Sequence, residues 1–331
     1  TVASYHTDSY PLEVLSEYLT DGKAAPMNQV LVDNLKLTSS TNMFNYISEL
    51  AGQTQISVRA FKDKNLTEIK TGIEKGFAKF EVEGISEKSL QRIKARQETG
   101  FYRSLSSVLG KGTGLASYNT YTGNPGFITE DIKRTLAVTA EDVMRVYSKY
   151  IKNKNYIATC FVPRSSSDLA LKNAVLANVV EEKIVIGAEE KFDSKIAAIY
   201  TKTPSSFDRS IEPPYGETPS LTVPKVYESS LENGLKIFGI ENNEVPLVRF
   251  NLTIDGGQLL ESMDKLGVAN LTASLLNKGT KNKTTQELEE AIQDLGASIF
   301  SYAGKESITI SGTTLAKNYV ATLALAQEML L

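Results

Sequence analysis

Two widely separated stretches of this chain carry the same order of elements, and that order limits the fold more than any single motif does. In the first, "LEVLSEYLTDGK" is followed by a second amphipathic segment, then "SSTNMFNYI", "TQISVRAF" and a helical pattern from Leu66. In the other, "NLTASLLNKGTK" is followed by a helical pattern, then "ASIFSYAG", "ESITISGTT" and a helical pattern from Leu315. Gly22 and Gly279 lie 257 positions apart, Tyr46 and Tyr302 256, and Ile56 and Ile308 252. A near-constant offset over one helix–helix–strand–strand–helix unit points to a duplicated α+β domain, each copy an antiparallel-rich sheet packed with helices.

The local patterns fill in that outline. Amphipathic helices are expected at 12–20 and 27–35, strands at 39–47 and 54–61, and a helix whose inner face is Leu66, Ile69, Ile73, Phe77 and Phe80. A long helical region from Ser86 to about Leu109 follows, Thr139 and Asp142 form a capping box, and "NYIATCFV" reads as a buried strand. Residues 164–224 differ in character: Pro204, Pro213, Pro214, Pro219 and Pro224, five of the ten prolines, fall there. This is an interdomain connection, with a helix expected near 167–182. Beyond it, "YESSLENGLKIFGIE" is a hairpin around Asn233-Gly234, a strand spans 247–254, and Thr284 with Glu287 caps a helix.

Composition excludes more than it assigns. Across 331 residues, 41% hydrophobic and 23% charged is an ordinary globular mixture with room for two cores, and a net charge of −3 gives no general reason to bind nucleic acid. The Lys-containing stretches at 62–64 and 278–283 read as solvated turns. No apolar run approaches the ~20 residues that cross a bilayer. The start carries no signal-peptide pattern, and the end stops inside an amphipathic pattern without a terminating Gly, Asn or Pro, so the chain reads as part of a longer one. Cys160 is the single cysteine and His6 the single histidine. One of each builds neither a disulfide nor a His- or Cys-rich zinc centre; Cys160 is expected as a buried structural thiol, and the compartment is left open.

Motif chemistry is sparse. "LGKGTGLASYNTYTGNPG" (109–126) is Gly-rich, but Leu105 stands where a Walker loop needs Gly and Gly112 follows Lys111, so it reads as a turn-rich loop. The carboxylates of "EEAIQD" have helix-surface spacing and are expected to be solvated, and no Gly-x-Ser-x-Gly elbow occurs.

The stretch "LENGLKIFGIENNEVPLVRFNLTIDGGQLLESMDKLGVANLTASLLNKGT" is more specific. Its "LENGLKI", "VPLV", "DGG" and G-V-A-x-L-x-x-x-L-L-x-K-G-T resemble the start of a repeat in the pitrilysin/insulinase family of inverted-zincin metallopeptidases, to which mitochondrial processing peptidases and bacterial relatives belong. "ELEEAIQDLGASIFSYAGKESITISGT" continues the likeness, and the first block resembles the second domain of such a repeat through "LEVLSEYLTDGKAAPMNQVLVDNLKLTSS" and "NYIATCFVPR". The resemblance implies a second domain at 1–163, a connection at 164–224 and a truncated start of the non-catalytic repeat at 225–331.

Active members carry H-x-x-E-H on the helix, two His to hold zinc and a Glu to activate its water. The matching positions here are Asn270, Ala273 and Ser274, so the resemblance implies no catalytic, cofactor-binding or metal residue in this chain. The helix is expected to serve packing through Val268, Leu271, Leu275 and Leu276. The implied function is that of a non-catalytic fragment of a zinc metalloendopeptidase, forming part of a substrate chamber and inert alone. Zinc belongs to a catalytic domain of the parent outside this chain. Implied partners are a peptide or protein substrate and the zinc-bearing domain of the same parent or a partner subunit, with no nucleic acid and no membrane span. The alternative is a scaffolding relative resembling the core subunits of the respiratory cytochrome complex. An unrelated peptide-binding α+β module would have different folds in its two outer blocks.

Overall fold

The first block is built around α1 (Ser9–Thr20), whose Leu12, Leu15 and Leu19 follow one another at helical spacing and are fully buried with Val14 beside them. A short helix, α2 (Pro26–Asn28), opens with Pro at its first turn and runs into a π-turn at Gln29–Asn34. Then β1 (Thr38–Ile47) and β2 (Gly52–Ala60) pair antiparallel, with Met43 opposite Ile56 and Tyr46 opposite Gln53. In this computed structural model, residues 1–179, 206, 208, 210–212, 214–218, 220 and 222–331 are described.

Asn65 starts α3 (Leu66–Glu83) by accepting the Thr67 N–H at 2.8 Å, and Gly84, at φ 66°, ends it. The inner face expected from spacing is the observed one: Ile69 and Phe80 are buried, with Leu66, Ile73 and Phe77 packed beside them. Gly72 and Gly76 lie one turn apart on α3, where a Cβ would stand 2.3 Å from Leu31 Cδ2 and 2.3 Å from Met27 Sδ respectively. Two glycines therefore let the α2 region press close to α3.

The long helical region is two helices. α4 (Glu87–Ser104) stops, and Ser107 caps a new helix, α5 (Val108–Thr122), by accepting the Gly110 N–H at 3.0 Å. The Gly-rich stretch expected as a turn-rich loop is thus largely helical. Glycine disfavours a helix by about 1 kcal/mol each, but here Ser107 caps one end and Gly123, at φ 70°, closes the other. Buried Tyr118 anchors the middle by donating to Asp131 Oδ2 at 2.7 Å. After a 3-10 turn come α6 (Ile128–Ala137) and α7 (Ala140–Tyr150), the latter opened by the expected Thr139–Asp142 capping box.

Past α7 two expectations fail. "NYIATCFV" is extended but joins no strand among the described residues, and Ile157 and Phe161 are each 92% exposed. Strand propensity needs an edge to pair with, and none of the described strands reaches this segment. Cys160 within it is half-buried rather than buried. The helix expected near 167–182 is a single 3-10 turn, Ser167–Leu169, with no helix through residue 179; its last residues lie outside those described.

Two compact units divide the chain: 1–174 with 243–331, and 175–242. The smaller contains β3 (Val226–Ser230) and β4 (Lys236–Ile240), an antiparallel hairpin turning at Asn233-Gly234 as expected, with Gly234 at φ 86°. Within the larger, β5 (Leu247–Asp255), α8 (Val268–Leu276), α9 (Thr285–Asp294), β6 (Ser298–Ala303), β7 (Ser307–Leu315) and α10 (Tyr319–Leu330) follow in order. β7 is central, antiparallel to both β5 and β6. The chain is therefore α+β, and its two outer blocks repeat one order: a helix on the first strand of a pair, a second helix, two antiparallel strands, then a helix on the second strand. Each has its own apolar cluster. Leu12, Leu31, Phe80 and Val143 lie in the first, and Leu288, Ile299, Ile310 and Met329 in the second.

Candidate functional site: the helix Val268–Leu276

α8 occupies the place where the sequence resemblance puts a metal-binding helix. Gly267, at φ 97°, turns the chain into it, and the Glu261 carboxylate closes its N-terminus. Glu261 accepts the N–H of Gly267 at 2.8 Å and of Ala269 at 2.7 Å. An anion at that end satisfies unpaired N–H groups and complements the helix dipole. At the other end Asn277 donates to Ser301 Oγ at 2.9 Å, and Ser301 donates to the Ala273 carbonyl at 2.5 Å. These bonds tie α8 to β6, one through the helix backbone and one through the Asn277 side chain.

Of the four residues expected to pack, only Leu276 does, against the cluster around Leu288 and Ile310. Val268, Leu271 and Leu275 are 48%, 59% and 55% exposed, while Ala269 and Ala273 are buried and Leu276 is half-buried. Both triads fit helical spacing, and hydrophobicity alone selects the larger side chains. The small pair wins because it lets the helix approach β6 within reach of the Ser301 hydroxyl, which bulkier residues would prevent.

The three positions matching H-x-x-E-H divide accordingly. Asn270 and Ser274 lie on the exposed side one turn apart, whereas Ala273 is 1% exposed against the sheet. Neither Asn, Ala nor Ser supplies an imidazole or a carboxylate, and among the described residues no three His, Cys, Asp or Glu side chains stand close enough together to hold a metal. The donor set at α8 therefore does not fit zinc, and no hydrolytic step can be derived from it. His6 is elsewhere, exposed before α1, where its Nδ1 accepts the Asp8 N–H at 3.0 Å. No described helix is long and apolar enough to cross a membrane.

The carboxylates of "EEAIQD", expected to be solvated, prove to be engaged. Arg92 Nε donates to Asp294 Oδ1 at 2.6 Å, and Arg92 Nη2 to Glu290 Oε2 at 3.2 Å. The spacing of Glu290 and Asp294 was visible in the sequence; their partner 198 and 202 positions away was not. Likewise Lys283, within a stretch expected as a solvated turn, pairs with Glu328 at 2.5 Å.

Comparison with known proteins bears on two separate parts of the chain. Residues 2–97 match the family model described as Peptidase M16 inactive domain, and residues 237–331 match Insulinase (Peptidase family M16). Mitochondrial-processing peptidase subunit beta of Rattus norvegicus is 30% identical over 98 residues, 30% of this chain and 20% of that protein. Cytochrome b-c1 complex subunit 1 of Bos taurus is 32% identical over 85 residues, 26% of this chain and 18% of that protein. A solved protease from Helicobacter pylori aligns with a TM-score of 0.41 and 23% identity over 46% of this chain and 37% of its own. The matches span about a fifth of the length of these curated relatives. With two models of one family covering separate parts of it, the chain belongs to the pitrilysin/insulinase family, peptidase family M16.

Proposed function

We propose that this chain is a non-catalytic portion of a zinc metalloendopeptidase of the processing-peptidase type, contributing wall to a substrate chamber. The observation that carries this reading is α8: Asn270, Ala273 and Ser274 stand where the resemblance puts H-x-x-E-H, and Ala273 is buried on the side that meets β6. The match of residues 2–97 to a domain described as inactive supports it. In this reading 1–163 is the second domain of one repeat, 164–224 the connection and 225–331 the start of the repeat without zinc. Zinc and the general base belong to a domain of the parent or to a partner subunit. The bovine cytochrome-complex relative favours a second reading, a scaffold with no peptidase activity in the parent at all.

The purified chain, incubated with zinc and a quenched fluorescent peptide, is expected to show no cleavage above the blank. Robust cleavage that a chelator abolishes would overturn the proposal. Sequencing the encoding DNA on both sides narrows the readings: H-x-x-E-H in the flanking frame supports a peptidase with its zinc in the same chain, and its absence there a scaffold or a subunit whose partner carries the zinc.

A further inference from the structure

The first block, residues 1–151, and the third, residues 243–331, belong to one compact unit, yet their apolar clusters share no residue. Charged side chains make up much of what joins them. On α4, Lys88 and Arg92 stand one turn apart and face Asp294 and Glu290, one turn apart on α9. Lys88 lies 3.5 Å from Asp294, and Arg92 bonds both acids with its side chain only 11% exposed. Further along α4 the polarity reverses: Glu98 receives Lys317 at 2.9 Å, from the turn before α10. Beyond it, Arg249 of β5 donates to Ser106 Oγ at 3.1 Å. Backbone comes close at one point, where a Cβ on Gly296 (φ 59°) would lie 2.4 Å from the Ala95 carbonyl oxygen. On the first-block side Arg96 is held by Glu17 and Asp21, so it crosses nothing.

We infer that the α4–α9 contact is a salt-releasable seam: the two blocks are separately cored bodies held in register by complementary charge, and they part when that charge is screened or reversed while each core stays folded. Apolar interfaces strengthen or hold as salt rises, whereas the more exposed pairs, Lys88 with Asp294 and Lys317 with Glu98, weaken; Arg92, 11% exposed, is screened less, so its contribution is read by charge reversal. The reversal of polarity between Arg92 and Glu98 along α4 also sets the register, since sliding α9 along α4 brings like charges together. The intervening chain tethers the two bodies when the seam opens.

The test uses the full chain. In a C160S background, Val82→Cys in the first block and Val320→Cys in the third, both highly exposed, carry spin labels for distance measurement. One narrow distance is expected at low salt. At about 1 M salt, where the Debye length is about 3 Å, a longer and broader distribution is expected. Amide exchange at Phe80 and Ile310, one in each core, should stay as slow at high salt as at low. R92E should give the broad distribution already at low salt, and R92E with E290R and D294R should restore the narrow one. If R92E fails to fold, the salt titration of the unsubstituted pair and R92Q decide the matter. An unchanged distance at high salt overturns the inference. So does faster exchange at Phe80 or Ile310 in step with the distance, because the seam would then be part of one common fold.

Discussion

Asp8 shows how one residue can hold a block together. It is buried at the start of α1, where its carboxylate accepts Arg145 Nη1 at 2.6 Å, Lys149 Nζ at 2.8 Å and Tyr150 Oη at 2.7 Å. Burial alone would raise its pKa; the donors Lys149, Tyr150 and Arg145 outweigh that and hold the carboxyl well below the usual carboxylate range. A depressed folded-state pKa means that the unfolded chain binds the proton first as pH falls. The stabilisation is therefore complete above about pH 4, the ordinary Asp value, and shrinks progressively below it. Asp8→Asn is expected to cost about 2 kcal/mol at neutral pH, the low side for a broken buried pair because Arg145 and Lys149 regain water. Urea unfolding at neutral pH and again near pH 2 checks it: the gap between the two proteins should narrow in acid. Nothing in the sequence marks Asp8, since its partners lie 137 to 142 positions away.

At the scale of elements, the signals that held were those written in a few adjacent residues. Both capping boxes, Thr139 with Asp142 and Thr284 with Glu287, form as expected, each Thr accepting an N–H while the acid reaches back. Thr284→Ala should lower stability by about 1 kcal/mol, read by denaturant unfolding, with amide exchange rising in the first turn of α9 before α10. The Asn233-Gly234 turn and the inner face of α3 were legible for the same local reason. Signals that failed depended on something distant. α5 is helical despite three glycines because Tyr118 is gripped by Asp131, and the α8 face is chosen by how near β6 comes. The residue types at the three positions on α8 need no such distant information. Asn270, Ala273 and Ser274 lack imidazole and carboxylate groups whichever way the helix packs.

For the whole molecule, separate cores of unequal size have a thermodynamic consequence. The first block buries a broad set including Leu12, Leu15, Leu19, Leu31, Phe80, Leu90 and Val143, whereas the other has a small cluster around Leu288 and Ile310. Denaturant unfolding is therefore expected in two steps, residues 243–331 first, with backbone circular dichroism and exchange at Ile310 changing before exchange at Phe80. A single transition shared by all probes would show that the two blocks are one cooperative body. The sequence by itself determined the repeated order of elements, the caps, the main turn and the lack of imidazole and carboxylate at 270, 273 and 274, because each is encoded by spacing or residue type within a short stretch. Tertiary structure alone decided which face of α8 is inward, that "NYIATCFV" pairs with no described strand, and that Glu290 and Asp294 meet Arg92. Those outcomes turn on how closely distant backbones approach and which charges they bring within reach, and no local pattern carries that distance.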